Sequence, residues 1–152
     1  MNKIIKNIRT NILNFTYKAK SSHIGSCLSI VEILAVLYNS VLKKKDRFIL
    51  SKGHAALALY CTLFEYKLIS QRILNTFGSN NTVLMNHVSH KVKGVEFSTG
   101  SLGHGLPVAV GKALKFKINK ENNKVFVLLS DGEMNEGTTW ESLLFASHHN
   151  LD

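Results

Sequence analysis

Acidic residues are scarce in this chain: 10 Asp and Glu stand against 19 Lys and Arg, a formal net charge of +9. An excess of that size raises nucleic acid as a partner. The placement of the cations argues against it. Lys112, Lys115, Lys117, Lys120 and Lys124 are scattered. Lys43-Lys44-Lys45 reads as a helix end, where cations complement the dipole. No basic stripe interleaves with aromatics, so a solvated basic face is expected and no nucleic acid. Cysteine is nearly absent. Cys27 and Cys61 are isolated and form no C-x-x-C pair, which excludes a disulfide framework and predicts buried free thiols. Long apolar runs are missing too. Lys3, Lys6 and Arg9 are followed by no uninterrupted apolar stretch of the kind a secretion signal carries. No segment approaches the roughly 20 apolar residues of a membrane span. A cytoplasmic chain with no membrane contact is the expectation. Low-complexity tracts and repeats are also lacking, which excludes disordered and solenoid classes.

What is present suits one domain over residues 1–152. The chain is 45% hydrophobic, and a chain of this length buries about 70% of its extended surface. Ile4, Ile5, Ile8, Ile12 and Phe15 have helical spacing, predicting an amphipathic helix over 3–19. Residues 20–26 read as a loop. Ser29-Ile-Val-Glu32 has capping-box spacing and would open a helix with Ile30, Ile33, Leu34, Leu37 and Val41 on its apolar face. Arg47-Phe-Ile-Leu-Ser51 reads as a buried parallel strand, followed by a helix starting at His54. Ser70 would cap a short helix to Phe77. Residues 78–105 form a long Gly-, Ser-, Asn- and His-rich loop, a length that points to function or disorder. A helix over 106–118 precedes the clearest strand, 125–129. A last helix, 136–149, carries Trp140, Leu143, Leu144 and Ser147 on one stripe, with Trp140 expected in the core. Alternating strands and helices predict an α/β fold: a partial doubly wound parallel sheet flanked by helices. Only two strands are visible, and the strand after helix 136–149 is absent, so the chain reads as cut in mid-fold.

In such sheets ligands bind beyond the carboxyl ends of strands, where helix N-termini offer free N–H groups to anions. Strand 47–51 delivers His54 there, and strand 125–129 delivers Asp131 and Gly132. The segment Thr99-Gly100-Ser101-Leu102-Gly103 leads into a helix. Gly100, Gly103 and Gly105 permit close backbone approach to a diphosphate, and Asp131 is placed to ligate a Mg²⁺ ion neutralising it. Each feature alone is also the make-up of an ordinary turn. Their convergence carries the reading of a diphosphate–Mg²⁺ site. Neither G-x-G-x-x-G straight after a strand nor G-x-x-x-x-G-K-[ST] is present, which disfavours nicotinamide and P-loop sites.

Four segments in order, Lys20-Ser-Ser-His-Ile-Gly25, Leu50-Ser-Lys-Gly-His54, Gly94-Val-Glu-Phe-Ser-Thr-Gly-Ser-Leu-Gly-His-Gly105 and Ser130-Asp-Gly-Glu-Met-Asn-Glu-Gly137, resemble the N-terminal part of transketolases. They are most similar to short, separately encoded N-terminal subunits. The resemblance implies thiamine diphosphate and Mg²⁺ as cofactors, and transfer of a two-carbon ketol unit between sugar phosphates of pentose-phosphate type. It implies that Asp131 ligates the metal, that Gly132 contacts the diphosphate, and that Gly100, Ser101 and Leu102 lie over the cofactor. His54 would touch diphosphate and substrate. His23 and His87 would line the substrate channel, where a near-neutral imidazole suits proton transfer. Glu136, grouped with the cofactor-binding residues, and Glu141 match acidic residues buried at the family's dimer interface. Ser130 stands where the family usually has Gly, Ile24 where it commonly has Pro, and Val88 where it has the Pro of Gly-His-Pro. His90 rivals His87, three residues away. As a His-x-x-His pair these two have no further ligand spaced to close a zinc site.

The same resemblance implies a partner, namely a C-terminal transketolase half or subunit, in a homodimer or heterotetramer. The family's second side-chain metal ligand, an Asn, falls beyond Asp152. The chain alone is therefore expected to be inactive. A non-catalytic fragment or assembly piece is the alternative reading. His104 and the pair His148-His149 are expected to be surface or packing histidines.

Overall fold

The computed structural model describes residues 1–151; Asp152, where the cut is expected, lies outside them. Helix α1 (Asn2–Ala19) buries Ile8, Ile12 and Phe15 on one face, as the i, i+4, i+7 spacing predicts. It stops where Lys20 turns left-handed (φ 49°) and donates its N–H to Tyr17 O. The loop expected over 20–26 is shorter than that, because α2 (Ile24–Leu28) begins inside it. Helix α3 (Val31–Val36) follows and widens into a π-helical turn over Leu37–Val41.

The expected capping box at Ser29 and Glu32 does not form. Ser29 Oγ donates to Ser26 O at 3.0 Å, and Glu32 pairs with Arg9 at 2.7 Å. The apolar face of α3 is also rotated from expectation: Ile30, Val31, Leu34 and Ala35 are buried, whereas Ile33 and Val41 are exposed. The 18-residue stretch Ile24–Val41, of mean hydropathy 1.7, is long and apolar enough for a span by length and composition. That corrects the expectation that no segment comes near one. Here the stretch is broken into three helical pieces that place Cys27, Ile30, Val31, Leu34 and Ala35 in the core.

Strands β1 (Arg47–Leu50) and β2 (Val125–Leu128) pair in parallel, with Arg47 opposite Val125 and Leu50 opposite Leu128. A parallel pair needs a crossover. It is supplied by α4 (Ala56–Glu65), α5 (Gln71–Leu74), a long loop and α6 (Gly105–Ile118). Ser70 caps α5 by accepting from Ile73 N, as its position predicts. The core lies where α1, α3 and α4 meet one face of β1. Cys27 and Cys61 are buried free thiols within it.

The long loop has no regular structure but is anchored at intervals. Leu84, Val88, Val92 and Val95 plug into the core. Tyr60 Oη donates to His87 O at 3.1 Å, Val88 N to Gly53 O at 3.2 Å, and Thr99 Oγ1 to Leu50 O at 2.6 Å. Helix α7 (Gly137–His148) packs on α6. Its expected core stripe is at the surface instead: Trp140 is 53% and Leu144 71% exposed. Nothing among the described residues covers that face, so helical periodicity alone could not place it.

Candidate diphosphate and metal site

The carboxyl ends of β1 and β2 lie side by side, joined by Ser51 N donating to Leu128 O at 2.9 Å. Beyond β1 the chain turns tightly through Ser51-Lys52-Gly53. A Cβ on Gly53 would stand 2.3 Å from Thr99 O, so only glycine lets this turn lie flat against the loop. His54 follows in a short 3₁₀ turn. His23 reaches the same place from the left-handed position (φ 67°) that starts α2.

Three of the expected histidines gather. The rings of His23 and His54 are 5.2 Å apart, and those of His23 and His87 are 6.0 Å apart. The His87 ring faces Gly100, 3.6 Å from where a Cβ would be. His90 is held elsewhere, with its Nδ1 2.7 Å from Ser98 Oγ. Only His87 of the rival pair joins the trio. Burial holds the His54 pKa below the usual imidazole value; the charges of His23, Lys52 and His87 add to this, and Glu133 opposes it. The cluster thus favours neutral imidazole at His54, the form able to accept a proton.

The other half is built by the loop Gly100-Ser101-Leu102-Gly103 and the end of β2. Gly103 is left-handed (φ 79°), and a Cβ there would meet Thr138 Oγ1 at 2.6 Å and Glu136 Cβ at 2.8 Å. Thr138 Oγ1 donates to Gly103 O at 2.8 Å, locking the loop to the start of α7. Asp131 and Gly132 are exposed at the end of β2, where Asp131 opens a 3₁₀ turn over Gly132–Asn135. Glu136 and Glu141 are exposed at the start and in the first half of α7. His104, His148 and His149 lie off the trio: His104 Nδ1 is 3.0 Å from Leu102 O, and His149 stacks near Phe145.

Sequence reasoning missed Glu133. Its carboxylate is fully buried. Oε1 accepts from Ser51 Oγ and from Gly103 N at 3.0 Å, and Oε2 accepts from Ser130 N at 2.8 Å. Glu133 N lies 3.3 Å from Ser130 Oγ. Ser130 and Glu133 therefore form the reciprocal capping box expected at Ser29 and Glu32. The Ser-x-x-Glu spacing was the available signal. It also gives Ser130 a use at a position where the resembled family usually has Gly.

A family model, "Transketolase, thiamine diphosphate binding domain", matches residues 1–152. The chain belongs to the transketolase family. It is 39% identical to an apulose-4-phosphate transketolase subunit of Phocaeicola vulgatus, covering 95% of this chain and 54% of that one. The corresponding subunit of Actinobacillus succinogenes is 41% identical, with 100% and 59% covered. The crystal structure of Campylobacter jejuni transketolase superposes with a TM-score of 0.84 at 26% identity, over 96% of this chain and 26% of that one. The fold is thus the α/β thiamine diphosphate-binding fold. This transketolase-family chain spans somewhat over half the length of the two apulose-4-phosphate transketolase subunits.

The residues present fit the cofactor's diphosphate and a Mg²⁺ ion. At Gly100 the nearest atoms to an added Cβ belong to the His87 ring, at 3.6 Å, so the backbone of the glycine loop faces the histidine trio with no side chain of its own between them. Among the described residues no three His, Cys, Asp or Glu side chains gather as a metal cluster. Mg²⁺ is held by one or two carboxylates plus phosphate oxygens rather than by an all-protein cage. Asp131 offers an exposed carboxylate at the end of β2.

Proposed function

We propose that this chain is the diphosphate-binding subunit of a split, Mg²⁺-dependent transketolase, which moves a two-carbon ketol unit between sugar phosphates once joined by a C-terminal partner subunit. One observation carries the reading: the glycine loop 100–103, the Asp131–Gly132 pair and the trio His23, His54 and His87 all lie at the carboxyl ends of the two paired strands. When bound, thiamine diphosphate supplies the centre that stabilises the carbanion. The chain's own residues do the rest of the work on this side. Asp131 would hold the metal, with Gly132 and the backbone of Gly100 to Leu102 against the diphosphate. His54 would hydrogen-bond at the diphosphate and substrate, and His23 and His87 would hold or pass protons at the sugar hydroxyls. Both apulose-4-phosphate transketolase relatives are named as subunits, which supports the need for a partner. The exposed Trp140, Leu143 and Leu144 face of α7 offers a surface for it.

The test is reconstitution. The chain is mixed with its C-terminal half, thiamine diphosphate and Mg²⁺, and ketol transfer is assayed with ketose and aldose phosphates. Activity well above the C-terminal half alone is expected; no gain would sink the proposal. The exposed α7 face also suits a non-catalytic assembly piece. In that case calorimetry on the assembled pair would find no tight, Mg²⁺-dependent cofactor binding.

A further inference from the structure

Glu133 is the one fully buried carboxylate in the core of the site, and no cation pairs with it among the described residues. Burying such a group is expensive unless hydrogen bonds replace its water. Here they do, and their sources are informative. Ser51 follows β1 and lies three residues before His54. Gly103 closes the glycine loop. Ser130 immediately precedes Asp131. In sequence the first two are 82 and 30 residues from Glu133. One carboxylate therefore ties together the three segments that carry His54, Gly100 to Leu102 and Asp131. Thr139 Oγ1 donates to Glu133 O at 2.7 Å and brings α7 into the same knot.

The donor set is selective for a carboxylate. Each oxygen accepts one backbone N–H, from Gly103 on Oε1 and from Ser130 on Oε2. A glutamine has one acceptor oxygen, so either orientation sets its NH₂ against a backbone N–H. An unmet or opposed buried donor costs more than a normal hydrogen bond contributes. Backbone N–H groups cannot move away without moving the loop or the strand end.

We propose that Glu133 is a positioning residue, whose buried carboxylate sets the spacing between the glycine loop and Asp131 and thereby the affinity for the cofactor diphosphate and its Mg²⁺ ion. This rests on the function proposed above and adds a residue that does not touch the ligand. The role parallels outer-shell partners of metal ligands, whose loss typically weakens metal binding about 10–100-fold.

The test compares wild type, Glu133→Gln, Ser51→Ala and Ile12→Val, each in the chain assembled with its partner subunit. Calorimetry gives Kd for thiamine diphosphate at fixed Mg²⁺ and for Mg²⁺ at fixed cofactor; melting is followed alongside. Glu133→Gln should raise both Kd values about 10-fold or more, while kcat at saturating cofactor changes much less. Ser51→Ala, which removes one donor, should give a smaller rise in the same direction. Ile12→Val, in the α1 core, should lower melting and leave Kd unchanged. Wild-type Kd in Glu133→Gln would overturn the inference. So would an equal rise in Ile12→Val, which would mark a general stability effect. If Glu133→Gln does not fold, an unchanged Kd in Ser51→Ala overturns it. A wild-type assembly that binds no cofactor would instead defeat the functional proposal itself, and this inference with it.

Discussion

His54 sits beside His23, Lys52 and His87. Burial first, then His23, Lys52 and His87, push its pKa below 6.5, with Glu133 pulling the other way. The sign of the consequence is fixed. Between the folded pKa and 6.5 the unfolded chain binds more protons than the native one, so stability rises with pH across that window and falls as acid is added through it. NMR titration should find the His54 midpoint below 6.5. His23→Asn should move it upward by removing a neighbouring charge; a midpoint at or above 6.5 in the wild type would contradict this. Glycines offer a sharper contrast. Gly53→Ala drives a Cβ to 2.3 Å from a backbone oxygen, whereas nothing lies within 4 Å of a Cβ on Gly25. Overpacking of the first kind costs about 1–3 kcal/mol, and Gly25→Ala should stay within about 0.5 kcal/mol of wild type. Denaturant melts of the two variants would separate them.

At the scale of elements, helix α1 shows how far periodicity reaches. Ile12 is fully buried against α4, and Tyr17, on the same helix, is 88% exposed. Ile12→Ala should therefore cost about 2–5 kcal/mol, and Tyr17→Ala about 0.5 kcal/mol or less. Comparable losses from both in equilibrium unfolding would mean that α1 is not docked by this face. Other elements resist local reading. Ser29-x-x-Glu32 and Ser130-x-x-Glu133 have the same capping-box spacing, yet only the second closes. Glu32 has Arg9 within reach, and Glu133 has Gly103 and Ser51 waiting for it. A four-residue motif carries no information about partners 82 residues away.

For the whole molecule the question is what covers α7. Trp140 is the only tryptophan in the chain and is half-exposed, with its Nε1 donating to Met134 O at 2.8 Å. Leu143 and Leu144 extend the same apolar face. An exposed patch of this kind marks an interaction surface. Adding the partner subunit should shift the Trp140 fluorescence to shorter wavelength as the ring leaves water. Leu144→Ser should weaken association while leaving the melt of the chain itself within about 0.5 kcal/mol. Unchanged emission on mixing would place the interface elsewhere.

By itself the sequence determined the two strands, the long helices, the parallel pairing and the positions of His54, Asp131 and the glycine loop at strand ends. These depend on local periodicity and on turn residues, whose physics operates over a few neighbours. Tertiary structure decided the rest. It chose His87 over His90 for the histidine trio, because Tyr60 and Gly53 pin that stretch of loop. It left Trp140 outside, because burial depends on which surfaces meet and not on spacing. It also buried Glu133, whose stability there requires donors from three distant segments to converge on two oxygens.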